Sequence, residues 1–130
     1  MTFDRRSIES RLILLGKAGS QSYRTNIEGS DLDGRGIFIA GKEHYLGMSK
    51  IEQKEGWEGE GKFSFIDRCK DLVAYELQKY IGLAIDANPN ILEQLFLAEE
   101  DYEYVHPLGR HLIEHRHFFV SKRIRWTYIG

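Results

Sequence analysis

Two short apolar runs, Leu12-Ile13-Leu14-Leu15 and Gly36-Ile37-Phe38-Ile39, enclose a mostly polar stretch that begins with Gly19-Ser20 and ends with Ser30-Asp31-Leu32-Asp33. Each run is too short for a buried helix and is bounded by turn-forming residues, so each reads as a buried strand. The chain must therefore leave one strand through a small-residue turn and enter the next carrying two acids. In an extended strand residues i and i+2 share a face. Asp31 and Asp33 then converge on one point while Leu32 packs behind them.

This pairing has a chemical reading. A turn built on Gly and Ser lets successive backbone N–H groups face an anion, and the Ser hydroxyl adds a donor. Two aspartates on one strand face offer hard oxygen ligands, which suit Mg²⁺ shared with a phosphate. The spacing thus points to a metal and a nucleotide.

The rest of the chain limits what can surround such a site. With 130 residues, 42% of them hydrophobic and 29% charged, it has the makeup of one globular domain with one core. We expect a single domain over 1–130, strand-rich to about residue 75 and helical from there on. No apolar run approaches the ~20 residues needed to span a bilayer. Met1–Glu9 is charged and lacks the apolar centre of a secretory signal. The single cysteine, Cys69, cannot form an internal disulfide and reads as a packing residue, so a cytoplasmic location is expected. A net charge of −2 argues against non-specific coating of nucleic acid. Charge is nevertheless uneven: residues 51–61 are acidic, whereas His106 to Arg125 is basic and holds four of the five histidines.

Along the chain, Asp4 to Leu15 predicts a helical turn and then a strand, and Leu32 to Ala40 a second strand. Gly16 to Ser30 has room for one short helix. Gly41-Lys42 reads as a turn, and Glu55–Gly61 as a loop. Phe63–Ile66 and Cys69–Val73 look strand-like. Leu77, Tyr80, Ile81, Ala84 and Ile85 recur at helical spacing. Asn88 is placed to cap the next helix, with Pro89 at its first position. Pro107–His117 predicts a further helix, and Ser121 a cap for a last one. His111 and His115 have i, i+4 spacing, but no Cys or acid pair completes a metal set. Trp57 reads as packed against the domain.

The string KAGSQSYRTNIEGSDLDGRGIFIA resembles the signature of the DNA polymerase β-type nucleotidyltransferases, a Gly-Ser turn followed by an Asp-hydrophobic-Asp strand. More narrowly, the chain resembles the RNA repair pathway polymerase β family. That pattern runs G-S-x-x-Y-G-T, S-D-x-D, E-L-x-K-[FY], N-P-N-[IVL]-L-E-x-L-F and S-K-x-I-x-x-x-Y-x-G. Here stand Gly19-Ser20, Tyr23, Thr25, Ser30-Asp31, Asp33, Glu76 to Tyr80, Asn88 to Phe96, and Ser121-Lys122 to Gly130. Arg24 and Gly34 depart from it, standing where Gly and a hydrophobic residue are usual.

The resemblance implies an α/β (α+β) fold: a small mixed sheet of the polymerase β-like type, with helices packed on it and a helical C-terminal part. It implies transfer of a nucleoside monophosphate from an NTP to a hydroxyl at an RNA end; a separate reading keeps the enzyme class and makes a protein hydroxyl the acceptor. Asp31, Asp33 and Asp71 would be the catalytic and Mg²⁺-binding residues, with Mn²⁺ as a substitute. Gly19 and Ser20 would hold the β and γ phosphates, with Arg24 and Lys122 as further nucleotide contacts. Asp71 also admits a plain reading as a helix N-cap for a segment starting near Ala74, with Glu76 as the reserve acid. Family members continue with further helices, so a chain ending at Gly130 reads as a fragment or as a naturally shortened member. An inactive module that binds nucleotide, RNA or a protein partner is the alternative, and a homo-oligomer is a further expectation.

Overall fold

The computed structural model describes residues 4–18, 32–48, 50–57 and 59–120. The first helix, α1 (Arg5–Glu9), is capped by the Asp4 side chain, which accepts the Ser7 N–H. It leads directly into strand β1 (Leu12–Lys17), and β2 (Leu32–Phe38) pairs back against it antiparallel. A short helix α2 (Lys42–Tyr45), a two-residue strand β3 (Gln53–Lys54) and helix α3 (Ser64–Arg68) then carry the chain to β4 (Cys69–Glu76). Gly41, read as a turn residue, is the N-cap of α2.

One sequence expectation is overturned here. Phe63–Ile66 was expected to be extended, but Ser64–Arg68 is helical. Phe65 and Ile66 are both buried and pack with Ile8, Leu12 and Leu72 against one face of the sheet. Two adjacent residues reaching the same core need the helical spacing of side chains, because a strand would send them to opposite faces.

Helix α4 (Leu77–Ile85) follows β4 without a loop, and α5 (Pro89–Leu95) starts at Pro89 with the Asn88 side chain accepting the N–H groups of Asn90 and Ile91. A 3-10 turn (Glu99–Asp101) leads into β5 (Tyr102–Val105), a strand that the sequence reading did not contain, and then α6 (Pro107–Glu114). The sheet order is β3-β4-β2-β1-β5. Only β2 and β4 run parallel, so the sheet is mixed, as expected for a polymerase β-like α+β fold.

The sheet separates two apolar layers. On one face Ile8, Leu15, Phe38, Phe65 and Leu72 pack beneath α1 and α3. On the other Leu14, Ile37, Tyr80, Leu95 and Ile113 pack beneath α4, α5 and α6. Helix α6 lies close on β1: the His106 N–H donates to the Ile13 carbonyl at 3.0 Å, and Gly109 presents bare backbone to that same peptide group. Among the described residues no helix is long and apolar enough to cross a membrane.

Candidate active site

The parallel pair β2 and β4 brings two of the expected acids together. Leu32 pairs with Cys69, and the next residue of β2, Asp33, pairs with Asp71. Lys70 is therefore an extra residue in β4, a bulge of the kind that re-aims side chains beside functional sites. Its consequence shows on the far face. Cys69 and Leu72, three residues apart, both pack into the layer beneath α3, which strict alternation forbids. Beyond the bulge the register is regular: Gly34 with Leu72, Arg35 with Val73, and so on to Phe38 with Glu76. Asp33 and Asp71 thus lie side by side on the face that carries α4 and α5.

The two acids differ in how firmly they are set. Asp33 is half-buried, and its carbonyl accepts the Ala18 N–H at 2.9 Å, which fixes the end of β1 beside it. Asp71 is exposed and reachable. Gly34 is a packing requirement. A Cβ there would lie 2.6 Å from Leu72 Cδ1, 2.9 Å from Phe65 Cε1 and 3.0 Å from Cys69 Sγ. The space of the missing side chain is filled from α3 and β4, so the glycine lets the apolar layer close directly behind Asp33.

The Cys69 thiol is pushed up to about 12, chiefly by burial, with the Asp33 and Asp71 carboxylates adding to the effect of burial. It is a packed, unreactive thiol, as the sequence suggested.

Asp71 is not a helix cap. It lies inside β4, and α4 is capped instead by Glu76, whose carboxylate accepts the Gln78 N–H at 3.0 Å. Glu76 sits five strand positions beyond Asp71, about 16 Å at ~3.3 Å per residue, and so is removed from Asp33. It is almost fully buried and accepts the Tyr45 hydroxyl at 2.6 Å. His44 Nδ1 accepts the Ile51 N–H at 3.0 Å, which leaves the ring proton on Nε2, 3.3 Å from Glu76. All of these contacts tie α2 to the start of α4, along one wall of a cavity of about 480 Å³ that Lys50 and Lys79 also line. Lys79 pairs loosely with Glu52, at 3.9 Å.

Arg35 is a further residue of the site that no motif marks; its i+2 spacing from Asp33 is the signal that places it on the same face. Its guanidinium donates to the Gly34 carbonyl at 2.9 Å, so a cation stands one step along β2 from the two acids.

Gly19, Ser20, Arg24, Asp31 and Lys122 lie outside the described residues. Among the described residues no three His, Cys, Asp or Glu side chains form a metal-ligating group. Asp33 and Asp71 supply hard oxygen donors from adjacent strands, and that donor chemistry fits Mg²⁺ or Mn²⁺ rather than a softer ion.

The remaining expectations sort into packing. Trp57 packs against the layer under α3 and donates its indole N–H to the Leu72 carbonyl at 3.0 Å. His111 and His115 are exposed, on the outer side and at the end of α6, with ring centroids 4.4 Å apart and planes tilted by 44°. Phe96 lies under Arg116, 4.8 Å from guanidinium carbon to ring centre. The α5 terminus beside it is capped by the Tyr102 hydroxyl and Arg116, which donate to the Leu95 carbonyl at 2.9 and 3.0 Å.

No curated protein and no solved structure matches the chain. The model of the RNA repair pathway DNA polymerase beta family matches residues 2–130. That span takes in the mixed sheet, the paired acids and the helices behind them, and the chain belongs to the RNA repair pathway DNA polymerase beta family.

Proposed function

We propose that this protein is a Mg²⁺-dependent nucleotidyltransferase that moves a nucleoside monophosphate from an NTP to a hydroxyl at an RNA end. The observation that carries this reading is the register of β2 and β4, which sets Asp33 beside Asp71. Together with Asp31, these residues would hold the metal. When bound, the metal neutralises charge on the triphosphate and on the leaving pyrophosphate.

The chain's own groups do the remainder. Gly19 and Ser20 receive the β and γ phosphates, with Arg24, Lys122 and Arg35 as cationic partners. Asp71, the exposed acid, takes the proton of the acceptor hydroxyl. The hydroxyl oxygen bonds to the α-phosphorus as the bond to the bridging oxygen of the β-phosphate breaks, and pyrophosphate leaves. Positioning and charge neutralisation supply most of the rate, as in other phosphoryl-type transfers.

The test is incubation of the protein with each α-labelled NTP, Mg²⁺ and an RNA ending in a 3′-hydroxyl. Label on the RNA with an equivalent of pyrophosphate is the expected result, lost in Asp33→Ala. Pyrophosphate with label on protein instead would move the acceptor to a protein hydroxyl. Stabilisation by NTP and Mg²⁺ without any product would leave a nucleotide-binding module.

A further inference from the structure

Two sequence motifs take no direct part in that chemistry, E-L-x-K-[FY] and N-P-N-h-L-E-x-L-F, yet they meet above the acid-bearing strand. Tyr80 ends the first and Gln94 occupies the open position of the second. Both side chains are fully buried. Burial raises the Tyr80 phenol well above its ordinary value, so the hydroxyl stays protonated and donates. It donates to Gln94 Oε1 at 3.0 Å. That bond fixes which way the amide faces, and Gln94 Nε2 then donates to the Arg35 main-chain carbonyl at 2.9 Å. The Tyr102 hydroxyl, shared between the Leu95 and Gln94 carbonyls at 2.9 and 3.0 Å, holds the same segment from β5.

Helices need not reach a sheet this way. Leu95, Ile91 and Tyr80 already supply an apolar contact between α5, α4 and the sheet, and a leucine at position 94 would extend it without the desolvation of an amide. The polar bridge instead fixes one peptide unit of β2, two residues from Asp33. It does so from α5, across the apolar layer.

We infer that Gln94, oriented by Tyr80, is a positioning residue that sets the height of β2 relative to β4 and thereby the alignment of Asp33 with Asp71. The inference rests on the reading of these two acids as a divalent-cation site.

The experiment measures Mn²⁺ binding to the full chain by electron paramagnetic resonance, alongside melting temperature and steady-state transfer. Gln94→Met keeps the volume and removes both hydrogen bonds, and Tyr80→Phe removes the bond that orients the amide together with the longer 3.4 Å contact to the Ile91 carbonyl. Ile113→Val, in the same apolar layer but on α6 and outside the Tyr80–Gln94–Arg35 hydrogen-bond chain, controls for lost stability. The expected result is about tenfold weaker Mn²⁺ binding in Gln94→Met, equivalent to 1.4 kcal/mol. About threefold is expected in Tyr80→Phe and no change in Ile113→Val, with kcat falling and KM for NTP steady. Wild-type affinity in folded Gln94→Met at 25 °C overturns the inference, whatever its melting temperature. Should Gln94→Met fail to fold, Tyr80→Phe with unchanged affinity overturns it. Absence of Mn²⁺ binding in the wild type would overturn the site itself and the positioning role with it.

Discussion

Asp33 and Asp71 stand opposite each other because one residue, Lys70, is inserted in β4 between the Leu32–Cys69 pair and the Asp33–Asp71 pair. The same strand ends in a second acid, Glu76, turned into the core and committed to Tyr45 and Gln78. With Asp71 in its proposed role, the two acids separate function from stability. Asp71→Asn should lower nucleotidyl transfer by about 10²–10³-fold, the scale for removing one preorganised electrostatic group, and leave the urea midpoint unchanged. Glu76→Gln should do the reverse, costing about 1.5–3 kcal/mol of stability, as for hydrogen bonds to buried charge, with transfer by the folded protein intact. Transfer lost in Glu76→Gln and retained in Asp71→Asn would exchange their roles.

The Glu76 cluster also sets an alkaline limit. Burial, and then the hydrogen bond to Glu76, push the Tyr45 phenol up to about 12. A group whose folded value is raised gives stability that is complete below its unfolded value, near 10, and disappears as pH rises through the folded one. Denaturant midpoints should therefore fall between about pH 10 and 12. In Tyr45→Phe that decline should be shallower, with a lower starting midpoint. An equal slope in both proteins would place the alkaline transition elsewhere.

What the sequence disclosed and what it concealed divide along local and non-local lines. The strands β1 and β2, the Asn88 cap with Pro89, and helices α4 to α6 rest on periodicity and capping within a few residues, and these were legible. The choice of Asp71 over its cap reading was not, because it depends on which residue of a distant strand lies opposite, and on a one-residue bulge that no local pattern marks. β5 was hidden for a related reason. Tyr102-Glu103-Tyr104-Val105 is short, and as an edge strand it is defined by pairing with β1. Phe63–Ile66 misled because aromatic and β-branched residues favour strands intrinsically, while the packing of Phe65 beside Ile66 decided for a helix.

Arg5 predicts the acid limit. It is buried, donates to Glu9 at 2.9 Å and to Asp67 at 2.6 Å, and also reaches the carbonyls of Gly59 and Phe63. Glu9 in turn accepts the Lys62 N–H at 2.5 Å, so one guanidinium joins α1 to the loop and to α3. Arg5→Met should cost about 3–5 kcal/mol, because it leaves the buried Glu9 carboxylate without its cation. The bond to Arg5 holds the exposed Asp67 carboxyl below its ordinary 3.8. Stability from a depressed carboxyl is complete above its unfolded value and lost as pH falls through the folded one. Urea midpoints should thus decline below about pH 3.8, and Asp67→Asn should flatten that part of the curve. An unchanged acid limb in Asp67→Asn would assign it to another carboxylate.

Two glycines inside helices should respond to alanine with opposite signs, because only one of them is a contact surface. At Gly82 an added Cβ meets nothing within 4 Å. Gly82→Ala should therefore stabilise α4 by about 0.5–1 kcal/mol through helix propensity and lost unfolded-state freedom. At Gly109 the added Cβ would lie 3.0 Å from the Ile13 carbonyl carbon and closer still to its oxygen. Backbone in the middle of a sheet cannot give way as a side chain can, so α6 must lift. That movement also strains the His106 N–H bond to the same carbonyl. The overpacking cost, about 1–3 kcal/mol, should exceed the propensity gain of about 1 kcal/mol, which Gly109→Ala shares with Gly82→Ala. Urea unfolding of both variants checks the sign. A stabilised Gly109→Ala would mean that α6 can move off β1 without loss.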